Sequence, residues 1–417
     1  MTRLLLIVPS ATYRADAFLE AARRLGVDVV VGCEEPLALQ GVMGSAGLTL
    51  PLSDLDAAVG AIVAHDDVAP LDAVVAVDDA GTLVAAEAGR RLGLRHNPPD
   101  AVAATRDKLT MRTRLAAAEV AQPAFAPLPA GSGPDEVAAA VARVGLPCVV
   151  KPTSLSGSQG VLRADDVAEA VVVARRVRGI ATAAGVDPDA PLLVERFVPG
   201  AEVAVEGMVR AGVLHPLAVF DKPDPLDGPA FEETIYVTPS RLSRRDHDAV
   251  LSTTVAAAGA LGLRDGPIHA EVRVRNGRAS VIEVAARTIG GLCSRALTFS
   301  TGRSLEELVI AHALGMSLGD DGAQGASGVL MIPIPAAGRL VAVDGVDDVL
   351  AIPGVTGAEV TIAAGRTVAP VPEGNRYLGF VFARDNDPKR VERALRRARA
   401  CLDVRIDPDT EHPRSTA

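Results

Sequence analysis

Ile268-His-Ala-Glu-Val-Arg-Val274 and Ser280-Val-Ile-Glu-Val-Ala-Ala-Arg287 are the stretches that decide the fold. Both alternate apolar and polar residues, the period of a strand with one buried face. Arg275-Asn276-Gly277-Arg278 between them is a strong hairpin turn. Pairing Val272 with Ile282 gathers the apolar neighbours on one face and sets Glu271 opposite Glu283 on the other. Like charges directly opposed across a sheet repel. A divalent cation shared by the two carboxylates removes that repulsion, and magnesium favours a few carboxylates together with phosphate oxygens. Two solvated carboxylates on an exposed hairpin face are the plainer alternative.

The rest of the chain bounds what such a hairpin serves. A length of 417 residues suggests about two to four domains or lobes. Apolar content of 48% and charged content of 23% are ordinary for a soluble globular protein. A net charge of −10 and a pI near 5.3 argue against general nucleic-acid or anionic-membrane binding, which needs a basic field. With aromatics at 3% and no Trp, a stacking platform for single-stranded nucleic acid is not expected. Cys33, Cys148, Cys293 and Cys401 are scattered and form no Cys-x-x-Cys pair, so reduced, mostly buried thiols of a cytoplasmic protein are expected. The apolar run before Pro9 is too short for a signal segment and reads as a first buried strand. No stretch approaches a membrane span.

Strands over 3–9, 27–31 and 73–77 alternate with helices over 16–25 and 81–91, the mark of a parallel sheet. Residues 1–96 therefore read as a Rossmann-like lobe, although no Gly-x-Gly-x-x-Gly follows the first strand. Asn97-Pro98-Pro99-Asp100 starts one helix that carries Thr105-Arg106-Asp107-Lys108. A loop over 129–134, a helix over 135–144, a strand over 148–151, a helix over 165–184 and a strand over 192–195 follow. Residues 203–220 read as paired strands, and the proline-rich 221–240 as a mobile loop over a site. A helix over 246–262 precedes the glutamate hairpin. After a turn over 318–328 the chain is strand-rich again, then basic and helical over 388–401. The residues after Pro408 read as frayed. The expected domains are 1–96, a small lobe 97–190, a large lobe with the metal site 191–320, and an α+β subdomain 321–417.

Three further segments carry chemistry. Val149-Val150-Lys151-Pro152 ends a strand and enters Thr153-Ser-Leu-Ser156-Gly157-Ser158-Gln-Gly160. Small residues there let backbone N–H groups approach phosphate oxygens, with Lys151 as a point charge beside them; a plain glycine turn is the alternative. In Leu192-Leu-Val-Glu195-Arg-Phe-Val198-Pro-Gly-Ala-Glu202, backbone groups near Glu195 and Val198 can read an adenine edge, and Glu202 can accept ribose hydroxyls. Arg287, four residues after Glu283, can hold a planar anion or stabilise charge on a transferring phosphoryl group, or simply pair with Glu283. His269 shares the face of Glu271, where a structural hydrogen bond is the more ordinary role. Asp221-Lys222-Pro223 and Glu232-Glu233 fall in the loop expected over the site. The arginines of 390–398 read as a solvated helix face.

Taken in order, Lys108, Lys151-Pro152 with its Gly/Ser loop, Glu195 to Glu202, His269-Ala-Glu271 and Glu283-Val-Ala-Ala-Arg287 resemble the ATP-grasp superfamily over about residues 97–315. The two alanines before the arginine resemble the L-amino-acid ligases and related carboxylate–amine ligases. The resemblance implies an α/β fold of ATP-grasp architecture: a Rossmann-like N-terminal lobe, central ATP-binding lobes and a strand-rich C-terminal lobe. It implies that Lys108 and Lys151 contact ATP phosphates, that Ser156, Gly157, Ser158 and Gly160 fold over them, and that Glu195 and Val198 face adenine. It implies that Glu202 holds the ribose, that Glu271 and Glu283 bind one or two magnesium ions, and that Arg287 steadies an acyl phosphate. Ala285 stands where many of these enzymes carry asparagine, which puts a second metal in doubt. The expected reaction joins a small carboxylic acid to an amine through an acyl phosphate, releasing ADP and phosphate. An acid–thiol ligase, a carboxylase, a phosphotransferase or a non-catalytic nucleotide-binding protein are the alternatives. The expected partners are small-molecule acids and amines, with no nucleic acid and no membrane; a homodimer is the possible assembly.

Overall fold

Leu4, Leu5, Leu6 and Ile7 have no exposed surface, which a strand achieves only when both faces of its sheet are covered. They form β1 (Arg3–Ile7) at the centre of a parallel sheet of order β3-β2-β1-β4, with β2 (Asp28–Cys33), β3 (Gly47–Thr49) and β4 (Ala73–Ala76). The computed structural model describes residues 2–10, 12–35, 46–299, 302–317 and 325–408. Among the described residues, helices α1 (Ala15–Leu25), α2 (Leu55–Asp66) and α3 (Asp79–Leu92) belong to this lobe. Gly26 ends α1 in the left-handed conformation with φ 67°, a C-terminal cap that glycine adopts without strain. The chain leaves β1 and β4 at their carboxyl ends through Thr12–Arg14 and Asp78-Asp79, the side of an open parallel sheet where ligands bind.

The helix expected around Lys108 is two helices. Asp107 breaks them with φ −122° and ψ 111°, and its carboxylate accepts the Thr110 N–H at 2.7 Å. That cap separates α4 (Pro99–Arg106) from α5 (Lys108–Ala117) and puts Lys108 at the first position of the second helix. Next comes an antiparallel sheet of order β5-β8-β6-β7, from β5 (Phe125–Leu128), β6 (Cys148–Pro152), β7 (Leu162–Ala164) and β8 (Leu192–Arg196). Helices α6 (Pro134–Val144) and α7 (Val167–Ala183) pack on one face of it.

An eight-stranded antiparallel sheet dominates the remainder. Its order is β13-β12-β9-β10-β11-β14-β18-β16. The strands are β9 (Ala201–Arg210), β10 (Val213–Asp221), β11 (Ile235–Thr238), β12 (Gly266–Arg275), β13 (Arg278–Ala285), β14 (Ala326–Ile332), β16 (Val355–Val360) and β18 (Gly379–Asp385). The sheet runs through the expected division at 320/321. Residues 221–240 are not a loop throughout. Ile235, Tyr236 and Val237 are buried and pair with Leu330, Val329 and Gly328, because an apolar β-branched run fits a sheet interior better than solvent. Helices α8 (Arg244–Leu261) and α9 (Leu305–Ala313) cover this sheet and link it to the first lobe: Val309 and Ile310 of α9 pack with Phe18, Ala21 and Ala22 of α1. At the C-terminal end, β15 (Gly338–Asp344), β17 (Thr367–Val368) and β19 (Asp403–Asp407) form a small sheet beside α10 (Val346–Leu350) and α11 (Pro388–Cys401). Part of the expected 318–328 turn and all residues from 409 lie outside the described residues. Among the described residues no helix is long and apolar enough to cross a membrane.

The hairpin keeps its expected central pair but not the whole register. Glu271 opposes Glu283, whereas Val272 opposes Val281, and the shift leaves Ile282 as an extra residue. The bulge lets Val281 enter the core with no exposed surface while Ile282 and Glu283 both face the cavity described below. Asn276 and Gly277 turn the chain with φ 53° and 74°, the type I′ geometry that matches strand twist. Gly277→Ala, at a φ unfavourable to a side chain, is expected to destabilise the protein by about 1 kcal/mol. An unchanged urea midpoint would show that the turn tolerates a β-carbon.

Candidate active site

The strand period that buries Ile268, Ala270, Val272 and Val274 in one core turns His269, Glu271 and Arg273 to the opposite face. That face floors a cavity of about 270 Å³. The N-terminal lobe contributes Tyr13, Asp78 and Asp79; the middle of the chain contributes Lys108, Lys151, Ser156, Gly157, Ser158 and residues 195–198; β9 adds Glu202, and the hairpin and its exit add Glu283, Arg287 and Gly290-Gly291. All the expected site residues except Gly160 line it. Gly160 stands behind the loop, its N–H bonded to Pro372 O at 2.9 Å.

The buried charged groups are paired. The Lys108 ammonium lies 2.6 Å from Leu155 O and 3.3 Å from Glu283. Lys151 lies 2.8 Å from Glu195, which also receives the Arg112 guanidinium at 2.6 Å. Burial pushes the Glu195 carboxyl up, but Arg112 and Lys151 outweigh it and bring its pKa down to about 2. Arg112, with no exposed surface, also donates to Ile282 O at 2.7 Å and Val281 O at 3.3 Å. It fixes the hairpin against the β5–β8 sheet.

Two adenine-facing expectations meet other uses of the same atoms. Glu195 sits in a central strand, paired with Phe125 on one side and Val149 on the other, so its backbone belongs to the ladder. The Val198 carbonyl accepts Arg273 Nη1 at 2.8 Å. Glu202 is held between Lys222 at 2.8 Å and Arg273 at 2.7 Å.

Glu271 and Glu283 face the same cavity in direct register, as an ion bridging them requires. Each already has a cationic neighbour: Lys222 at 3.0 Å for Glu271, and Lys108 for Glu283. The carboxylates that cluster within 4.8 Å of one another, among the described residues, are Glu202, Glu233 and Glu271, without Glu283. The donor set, oxygen ligands beside lysines suited to phosphate, fits magnesium bound with a polyphosphate. His269 has the structural bond expected of it, Nδ1 to Glu206 at 2.5 Å. Burial lowers the imidazole's pKa, but Glu206 and Glu271 raise it to about 9.

Arg287 does not pair with Glu283. Its Nε lies 2.8 Å from Asp79 of the N-terminal lobe, and Nη1 donates to Thr288 O at 2.9 Å. Arg14 reaches Thr288 Oγ1 from the same lobe. Asp79, Arg112 and Glu206 were outside the sequence expectations. Arg112 left one trace, a cation one turn beyond Lys108 between Met111 and Leu115. The Gly/Ser loop takes positive φ at Gly157, Ser158 and Gly160 and closes on the C-terminal lobe through Gln159 to Glu373 O at 2.8 Å.

Residues 19–96 match the ATP-grasp N-terminal domain, 144–296 the ATP-grasp domain and 330–407 the L-amino acid ligase C-terminal domain 2. The chain belongs to the ATP-grasp superfamily. The match of its last lobe, with the ligase relatives below, supports the L-amino-acid ligase branch of that superfamily. It is 27% identical over 249 residues to alanine–anticapsin ligase of Bacillus amyloliquefaciens, covering 55% of this chain and 51% of that one. The chain thus spans about half the length of such curated ligases. The crystal structure of L-amino acid ligase from Bacillus licheniformis superposes with a TM-score of 0.78 at 24% identity, over 98% of this chain and 99% of that one. Carboxyaminoimidazole ribonucleotide synthase from Aspergillus clavatus, complexed with ATP, superposes with a TM-score of 0.73 at 14% identity, over 95% of this chain and 97% of that one. These two likenesses establish the α/β ATP-grasp fold.

Proposed function

We propose that the protein is an ATP-dependent carboxylate–amine ligase that acts on amino acids or other small carboxylic acids. The observation that carries the reading is the convergence of Lys108, Lys151, the opposed Glu271 and Glu283, and Arg287 on one cavity. Alanine–anticapsin ligase, a relative named for joining an amino acid to another compound, supports it.

In this reading adenine lies in the apolar part of the cavity, among Val149, Val161, Phe197 and Ile282. The Phe197 carbonyl and the Val198 N–H, just past the end of β8, take the recognition role that the ladder denies Glu195. Glu202, with lone pairs left beyond its two cationic partners, accepts the ribose hydroxyls. Lys108, Lys151 and the 156–160 loop hold the phosphates. Glu271 and Glu283 would hold magnesium, one or two ions, which neutralises phosphate charge when bound.

A substrate carboxylate oxygen attacks the γ-phosphorus; the new O–P bond forms as the bond to the β-phosphate oxygen breaks, and ADP leaves. Arg287 stabilises the acyl phosphate. An amine nitrogen then attacks the carbonyl carbon, loses its proton, and phosphate departs with the C–O electron pair. The 156–160 loop, closed on the C-terminal lobe, keeps water from the acyl phosphate. The experiment is a phosphate-release screen over pairs of amino acids with product analysis. The expected products are an amide or dipeptide, ADP and phosphate in equal amounts. Amino-acid-dependent AMP and pyrophosphate would overturn the proposal.

A further inference from the structure

Lys222 follows β10, and its ammonium is almost wholly buried, with the side chain 3% exposed. It meets Glu202 at 2.8 Å, Glu271 at 3.0 Å and Glu233 more closely still. An ammonium has three N–H donors, so three carboxylates saturate it. All three acids line the cavity, whereas Lys222 does not. The lysine stands behind the wall and touches its residues rather than anything bound in front of them.

Two of those acids serve opposite ends of a nucleotide in the reading above: Glu202 the sugar, Glu271 the phosphate-bound cation. One buried charge therefore fixes both. Without it, Glu202, Glu233 and Glu271 would repel one another at separations within 4.8 Å. Arg273 shares only Glu202, at 2.7 Å, and His269 reaches Glu271 only at 3.6 Å, so neither bridges the two ends. We infer that Lys222 is a positioning residue that couples ribose recognition by Glu202 to cation binding by Glu271.

The inference rests on the proposed reading of the cavity as a nucleotide site, and its test separates the two. Binding of ATP and of 2′,3′-dideoxy-ATP is measured by calorimetry with magnesium titrated and no acid or amine present. Wild-type protein is expected to prefer ATP by roughly 10- to 100-fold, the worth of hydrogen bonds to a charged group. In Lys222→Met this preference is expected to shrink toward unity while the magnesium needed for half-maximal ATP binding departs from the wild-type value, because Glu271 loses its fixed position and its competing cation together. A general loss of packing would weaken both nucleotides alike and leave their ratio in place. Glu233→Gln, which removes one of the three carboxylates around Lys222 and keeps both Glu202 and Glu271, is expected to give the same paired change in smaller measure and covers the case in which Lys222→Met does not fold. Retention of the wild-type preference and magnesium requirement in a folded variant overturns the inference. Wild-type protein that binds neither nucleotide overturns the nucleotide reading itself, and the inference with it.

Discussion

Arg287→Met is expected to lower kcat for ligation about 100- to 1,000-fold, the loss seen when one preorganised donor to developing charge is removed. KM for ATP is expected to change little, because Lys108, Lys151 and Glu202 remain. The two lobes share responsibility for this arginine. Asp79 lies 2.8 Å from Nε, and Arg14 holds Thr288, whose carbonyl accepts Nη1. Asp79→Asn is therefore expected to reduce kcat less than Arg287→Met, with ATP binding preserved. Steady-state kinetics on both variants checks the pair. A fall in ATP affinity equal to the fall in kcat would place Arg287 in nucleotide binding instead.

Arg112→Met is expected to produce the largest loss of stability, about 3–5 kcal/mol, because it breaks a buried charge network, leaving Glu195 to Lys151 alone and removing the donor to Ile282 O and Val281 O. Arg112 has no exposed surface and reaches Glu195 at 2.6 Å, Ile282 O at 2.7 Å and Val281 O at 3.3 Å. The same triad sets a pH dependence. The Glu195 pKa is about 2 in the folded protein against an ordinary 4.5. A depressed carboxyl stabilises the fold above its ordinary value, and that contribution is lost as pH falls from about 4.5 toward about 2. Urea midpoints across that range are expected to drop steeply for wild-type protein and more shallowly for Arg112→Met. Parallel profiles would remove Glu195 from the account.

Periodicity made much of the scaffold legible. The alternation in 268–274 and 280–285, with Asn276-Gly277 between, specified the hairpin and the Glu271–Glu283 opposition. The bulge at Ile282 was not legible, because both registers bury valines and only contact with Arg112 and the cavity distinguishes them. The break at Asp107 was missed because α4 and α5 are both helical and one aspartate cap separates them. The buried strand 235–238 was obscured by the prolines and acids before it. At the site, the expected residues lay in motifs with local signatures. Their partners did not: Asp79 reaches Arg287 across more than two hundred residues of chain, and Lys222 finds its three glutamates only when β9, β10, the 222–234 segment and β12 come together. Such long-range charge pairing has no spacing rule.

The central claim is that the bound acid is activated by phosphoryl transfer. Its most direct test uses an amino acid labelled with ¹⁸O in the carboxylate, incubated with ATP, magnesium and an acceptor amine. The account predicts one labelled oxygen in the released inorganic phosphate, with ADP unlabelled. Label appearing in AMP, or phosphate free of label while the amide forms, would contradict it.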